Sequence, residues 1–164
     1  MVFSNVLIPT DFSFNSAKAY EFALNFAKKN SARLHVLHVI EPIIRYNEIN
    51  DPQDKMNLDR DRIFGAEEEL ERFINKFYNA GIDIFRIVIA GKPFEEIINY
   101  SKKEHVDLII TATHGKTNLH HLVAGNVTKK LLKFSVIPIV CIKTNPAVHL
   151  ETTIGENLAE NWVG

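Results

Sequence analysis

A chain of 164 residues suits one domain, and 46% apolar with 24% charged residues is the composition of a globular rather than a disordered protein. The net charge is −1 and the 19 lysines and arginines are scattered, which excludes the basic stripe that nucleic acid or an anionic membrane would demand. A single cysteine, Cys141, excludes an internal disulfide framework and a Cys-based zinc site, and no apolar run approaches the roughly 20 residues of a membrane span. The opening residues, Met1 to Asn5, lack a charged region, and the apolar run behind them ends at Pro9. A cytoplasmic protein with reduced Cys141 is therefore expected.

Two periodicities alternate along the chain. Val6-Leu7-Ile8 is a short continuous apolar run, as in a parallel strand covered on both faces. A helix is predicted from Phe14 to Lys29, with Ala17, Tyr20, Ala23, Leu24 and Ala27 on one face and Ser13 as its N-cap. Arg33 to Ile40 reads as the second strand. Glu41 to Asn57, with Pro42 and Pro52, reads as irregular. A long helix follows from Leu58 to Ala80, with Ile63, Ala66, Leu70, Phe73, Ile74 and Phe77 at helical spacing and Gly81 as its stop. Ile84 to Ala90 is the third strand, and Gly91-Lys92-Pro93 opens a helix whose Phe94, Ile97 and Ile98 face the sheet. Leu108 to Ile110 is the fourth strand, Val127 to Phe134 a helix, and Ile137 to Ile142 the fifth strand. Residues 1–144 thus form the domain. Residues 145–164 are a polar tail in which Leu150, Ile154, Leu158 and Trp162, spaced by four, would line one face of a short helix, mobile or docked on a dimer partner.

This strand–helix alternation predicts a three-layer α/β/α fold: a doubly wound, five-stranded parallel sheet of order 3-2-1-4-5. Ligands in such sheets bind beyond the carboxyl ends of the strands where the order reverses, here between strands one and four. Pro9-Thr10-Asp11 and Thr111 to Asn126 are the segments at that crevice. Asp11 is either an acceptor for a ligand hydroxyl or amine, or a turn carboxylate satisfying local amides. In the second segment, Gly115 and Gly125 let backbone amides approach an anion, and Asn126 would cap the next helix, whose first-turn N–H groups favour phosphate; a cap without any ligand fits the spacing equally well. Gly115-Lys116-Thr117 ends like a Walker A loop, but Ile110 stands where that pattern needs its first glycine.

Several of these stretches together resemble the universal stress protein family, nearer its ATP-binding branch. They are Val6 to Ser13 (VLIPTDFS), Leu34 to Val39 (LHVLHV), Gly91-Lys92-Pro93, Thr113 to Asn118 (THGKTN), Ala124 to Thr128 (AGNVT) and Ile137 to Ile142 (IPIVCI), in the family's order over roughly residues 3 to 143. The resemblance implies a fold like that of the adenine nucleotide alpha hydrolases, and ATP or AMP as ligand, with or without Mg²⁺. It places Pro9, Thr10 and Asp11 at the adenosine end, the Val39 backbone at the adenine edge, and Gly115, Gly125, Asn126 and Val127 in a phosphate cradle, with His114 and Lys116 near enough to add charge. The family's G-x2-G-x9-G-[S/T] pattern falls on Ala112, Gly115, Gly125 and Asn126; the spacing is intact, and Ala112 and Asn126 depart from it.

Three functional classes follow. One is a nucleotide-binding stress-response module acting as a homodimer. Another is a slow Mg²⁺- or Mn²⁺-dependent hydrolase using the same pocket, which needs an oriented water and acids beyond Asp11. The third is a nucleotide-independent dimeric scaffold. No residue is assigned a catalytic role. A receiver-like phosphoacceptor fits poorly, because strand three ends Ala90-Gly91 where an aspartate is needed. His120-His121 with His114 is the densest histidine cluster, but adjacent residues diverge and no metal is assigned to it. The fifth strand, left open, would invite aggregation. Relatives pair it across a two-fold axis, so a homodimer through Ile139 to Lys143 is expected.

Overall fold

The structure is a computed structural model, and it describes residues 2–42, 51–77, 81–113 and 125–143. The elements run β1 (Asn5–Pro9), α1 (Phe14–Asn30), β2 (Arg33–Ile40), α2 (Pro52–Asn75), β3 (Ile84–Ala90), α3 (Pro93–Lys103), β4 (Leu108–Ala112), α4 (Asn126–Phe134) and β5 (Ile139–Ile142). All strand pairs are parallel and the sheet order is β3-β2-β1-β4-β5, as the alternating periodicity predicts.

Central strands that read as uninterrupted apolar runs are those buried on both faces. Val6 and Ile8 on β1, Leu34 and Val36 on β2 and Ile110 on β4 pack with Tyr20, Ala23 and Ala27 of α1 and Phe73 and Ile74 of α2. Leu7, Leu37 and Ile109 point the other way, toward Ile97 of α3 and Leu131 of α4. The alternation of side chains along each strand divides one run between two cores.

Ser13 caps α1: its hydroxyl accepts from the Ser16 amide at 3.2 Å. Ser13→Ala is expected to cost about 0.5–2 kcal/mol, read as a lower urea midpoint with unchanged m-value. The amino end of β1 is fixed from far along the chain. The Asp107 carboxylate accepts from the amides of Ser4 at 2.7 Å and Asn5 at 3.2 Å.

Three boundaries and one burial differ from the sequence reading. α2 begins at Pro52, inside the stretch read as irregular, because Asp51 caps it by accepting from the Gln53 amide at 2.7 Å and Pro52 sits in the first turn, where a missing N–H costs nothing. The inward face of α2 is buried only at Leu70, Phe73 and Ile74; Ile63, read as facing the core, is 36% exposed. The helix ends at Asn75, and Gly81 adopts φ +81°, the left-handed conformation for which glycine suits the turn into β3. β5 starts at Ile139 rather than Ile137. The tail from 145 onward lies outside the described residues.

Candidate functional site

At the switch between β1 and β4 the carboxyl ends of the strands open into a cleft of about 530 Å³. Pro9, Thr10 and Asp11 form its floor after β1, Val39 and Ile40 its β2 side, and Ala112, Gly125, Asn126 and Val127 its β4–α4 side. The sequence-derived candidates Pro9, Thr10, Asp11, Val39, Ala112, Gly125, Asn126 and Val127 therefore converge on one cavity. His114, Gly115 and Lys116, and the histidine pair His120-His121, lie outside the described residues.

The β1–α1 turn is built from short polar side chains. Asp11 Oδ1 accepts from the Ser13 amide at 3.1 Å, so Asp11 does close a local turn while it lines the cleft. Thr10 Oγ1 accepts from the Phe12 amide at 3.0 Å and donates to Ser16 Oγ at 3.1 Å; Ser16 Oγ donates on to the Ser13 carbonyl at 2.9 Å. Between these bonds Phe12 takes φ +62°, uncommon for a residue with a side chain. Its ring is held by stacking on His38, centroids 4.3 Å apart, and by Phe73 at 5.7 Å.

His38 is a cleft residue that the sequence reading passed over. Its Nδ1 lies 2.8 Å from the Thr10 carbonyl, and a carbonyl only accepts, so Nδ1 carries the proton and the imidazole braces the turn from β2. Ser16, Glu41, Pro93, Ile97 and Thr128 were likewise missed as lining residues. The one available signal was position: each stands beside a strand end or in the first turns of a helix that begins at the carboxyl edge. Glu41 is a second acidic residue lining the cleft, and the Arg62 guanidinium of α2 donates to its backbone carbonyl at 2.6 Å.

The α4 side corrects two details. Asn126 is not the cap of α4 but its first residue; Gly125 occupies the cap position without a side-chain hydrogen bond. The Gly125 amide is itself taken, donating to the Thr113 carbonyl at 2.7 Å. The first helical bond of α4 runs from Lys129 to Gly125, so the amides of Asn126, Val127 and Thr128 have no acceptor within the helix and stand at its positive end beside the cleft. Thr128 Oγ1 donates to the Ala112 carbonyl at 2.9 Å and lies 3.3 Å from Thr111 Oγ1, which fastens that helix end to β4.

Cys141, on β5, is half-buried, and burial pushes its thiol pKa up, away from the thiolate that a nucleophile requires. Among the described residues no helix is long and apolar enough to cross a membrane.

Known proteins share both sequence and architecture with this chain. The universal stress protein MJ0577 of Methanocaldococcus jannaschii is 27% identical over 162 residues, an alignment spanning 87% of this chain and 96% of that protein. A solved structure of MJ0577 superposes with a TM-score of 0.77 at 28% identity, covering 88% of this chain and 99% of that one. An Arabidopsis thaliana universal stress protein family member with AMP bound has a TM-score of 0.59 at 22% identity, over 88% of this chain and 94% of its own. A universal stress protein in complex with cAMP has a TM-score of 0.65 at 18% identity, over 88% of this chain and all of its own. These last two share the fold. Residues 3–143 match the universal stress protein family itself, and with that match spanning nearly all of the described fold, the chain belongs to that family.

Proposed function

We propose that this chain is an adenine-nucleotide-binding module, holding ATP or AMP in the switch-point cleft and acting as a cytoplasmic homodimer in a stress response. One observation carries the reading. A single cleft joins the Asp11 turn, the carboxyl end of β2 and the amino terminus of α4, offering an acidic residue at one side and helix-terminal amides at the other. That polarity suits a ligand with hydroxyl and amine donors at one end and phosphate at the other. The presence of AMP and cAMP in structures of the same fold supports it. Asp11 would accept from ribose or adenine, Val39 would meet the adenine edge through its backbone, and Asn126 and Val127 would face phosphate, with His114, Gly115 and Lys116 contributing from the preceding segment.

The purified protein tests this directly. Denaturation followed by nucleotide-resolving chromatography of the supernatant is expected to release a stoichiometric adenine nucleotide. An empty supernatant, with no calorimetric binding of added ATP or AMP, would leave a nucleotide-independent scaffold. Because Glu41 is a second acidic residue lining the cleft, the same preparation should be assayed for turnover with Mg²⁺ or Mn²⁺. Sustained ADP release would turn the module into a slow hydrolase. The dimer is proposed through Ile139 to Lys143, since β5 is a sheet edge of half-buried apolar residues. A monomer by light scattering at micromolar concentration would refute it.

A further inference from the structure

His35 lies on β2, facing α3, and has no place in the cleft. It is 4% exposed. Its Nδ1 shares a hydrogen bond with the Tyr100 hydroxyl at 2.8 Å, and its ring stacks on Phe85 with centroids 4.8 Å apart. Its Nε2 is buried with no hydrogen-bond partner among the described residues. The strand neighbours on either side in register are Leu7 and Phe85, both apolar.

A neutral imidazole has one donor and one acceptor nitrogen, and a hydroxyl can answer either. An imidazolium has two donors. Here the second would point into apolar surroundings, where an unmet N–H and an unpaired charge are both expensive. Glu104 at the end of α3 and Asp107 beyond it favour the charged ring, while Arg33 on the same strand opposes it. Burial outweighs these and draws the His35 pKa below its ordinary value. Tyr100 feels the same burial, together with Glu104, and its hydroxyl is pushed up to about 12, so it stays protonated throughout the range in which histidine titrates.

Tyr100 sits one turn along α3 from Ile97, and Ile97 lines the cleft. The helix that covers His35 is thus also a cleft wall. We propose that His35 is an acid-sensitive latch beneath α3: protonating its ring breaks the packing under Tyr100 and releases the carboxyl-terminal half of that helix from the sheet. Phe85, 45% exposed at the β3 edge, leaves water a short route to the ring. The latch belongs to the folded chain and holds whether or not the cleft takes a nucleotide.

The sign is fixed by linkage. A released or unfolded His35 titrates near 6.5 and the docked one below that. Stability is complete above about pH 6.5, and the open form gains up to tenfold in population for each pH unit below it, until the docked ring also protonates.

Hydrogen exchange on the full-length protein between pH 7.5 and 5.5, corrected for the intrinsic pH dependence of exchange, reads this out. Protection of the α3 amides from Ile98 to Lys103 is expected to fall severalfold, up to about fivefold, between pH 6.5 and 5.5. His35→Leu is expected to remove that fall. Tyr100→Phe, which keeps the histidine and deletes its partner, is expected to retain it. Equal pH dependence in the wild type and His35→Leu would overturn the latch. Should His35→Leu not fold, ring NMR of the wild type decides alone: a His35 midpoint at or above 6.5 overturns the proposal, and one below supports it.

Discussion

Phe73→Ala is expected to destabilise the protein by about 3–5 kcal/mol and to slacken the cleft turn along with the core. Phe73 is 4% exposed on α2, with Tyr20 edge-on at 5.3 Å, Phe77 at 6.0 Å and Phe12 at 5.7 Å. Its removal takes away the largest of the three side chains that α2 buries, since that helix buries Leu70, Phe73 and Ile74 and nothing earlier. The same truncation strips one support from Phe12, whose positive φ costs on the order of 1–2 kcal/mol and must be held by its surroundings. Urea denaturation followed by circular dichroism measures the first effect. A loss under about 1 kcal/mol would mean that α2 is anchored elsewhere. The second effect is separate: nucleotide affinity should fall in conditions where the variant is still fully folded.

Asn126→Asp separates ligand binding from stability more sharply, because the two effects have opposite signs. Asn126 is the first residue of α4 and lines the cleft. A carboxylate there complements the helix dipole and is expected to add about 0.3–1 kcal/mol of stability. The same charge would face the phosphate position in the proposed nucleotide complex. At a separation of about 6 Å and an effective dielectric near 20, the repulsion is on the order of 1–3 kcal/mol. AMP and ATP affinity should therefore drop about tenfold to a hundredfold, while adenosine binds as before. A calorimetric comparison of the three ligands checks this. Equal losses for adenosine and AMP would place the phosphate away from α4.

The architecture was legible because its signals are local and redundant. Buried parallel strands such as Val6-Leu7-Ile8 draw on a narrow apolar composition, and Ser13 and Pro93 mark helix starts by steric and hydrogen-bonding rules that need no tertiary context. The start of α2 was not, since a proline means either a break or a first turn, and Asp51 decides between them only through a hydrogen bond. The cleft's location followed from strand order alone. Its detailed furniture did not. That the Gly125 amide is occupied by Thr113, and that His38 braces Thr10, depend on where distant backbone carbonyls fall. Ile63 was misplaced for a related reason: its helical phase is correct, but α2 outruns the sheet it would pack on.

The Asp107 clamp on the amino end of β1 bears on how the molecule is made. It joins residues 103 positions apart, and the pairing of β1 with β4 beside it, Val6 with Leu108 and Leu7 with Ile109, spans nearly the same distance. β1, β2 and β3 are complete well before β4 leaves a ribosome, so the nascent chain forms half a sheet whose β1 edge is bare. Loop closure over that separation is slow compared with the pairing of β1 to β2, which makes β4 docking the late step in folding. The cleft lacks its β4–α4 side until then. A ligand that needs the amino end of α4 therefore cannot template the early intermediate, and it can stabilise the fold only after β4 has docked.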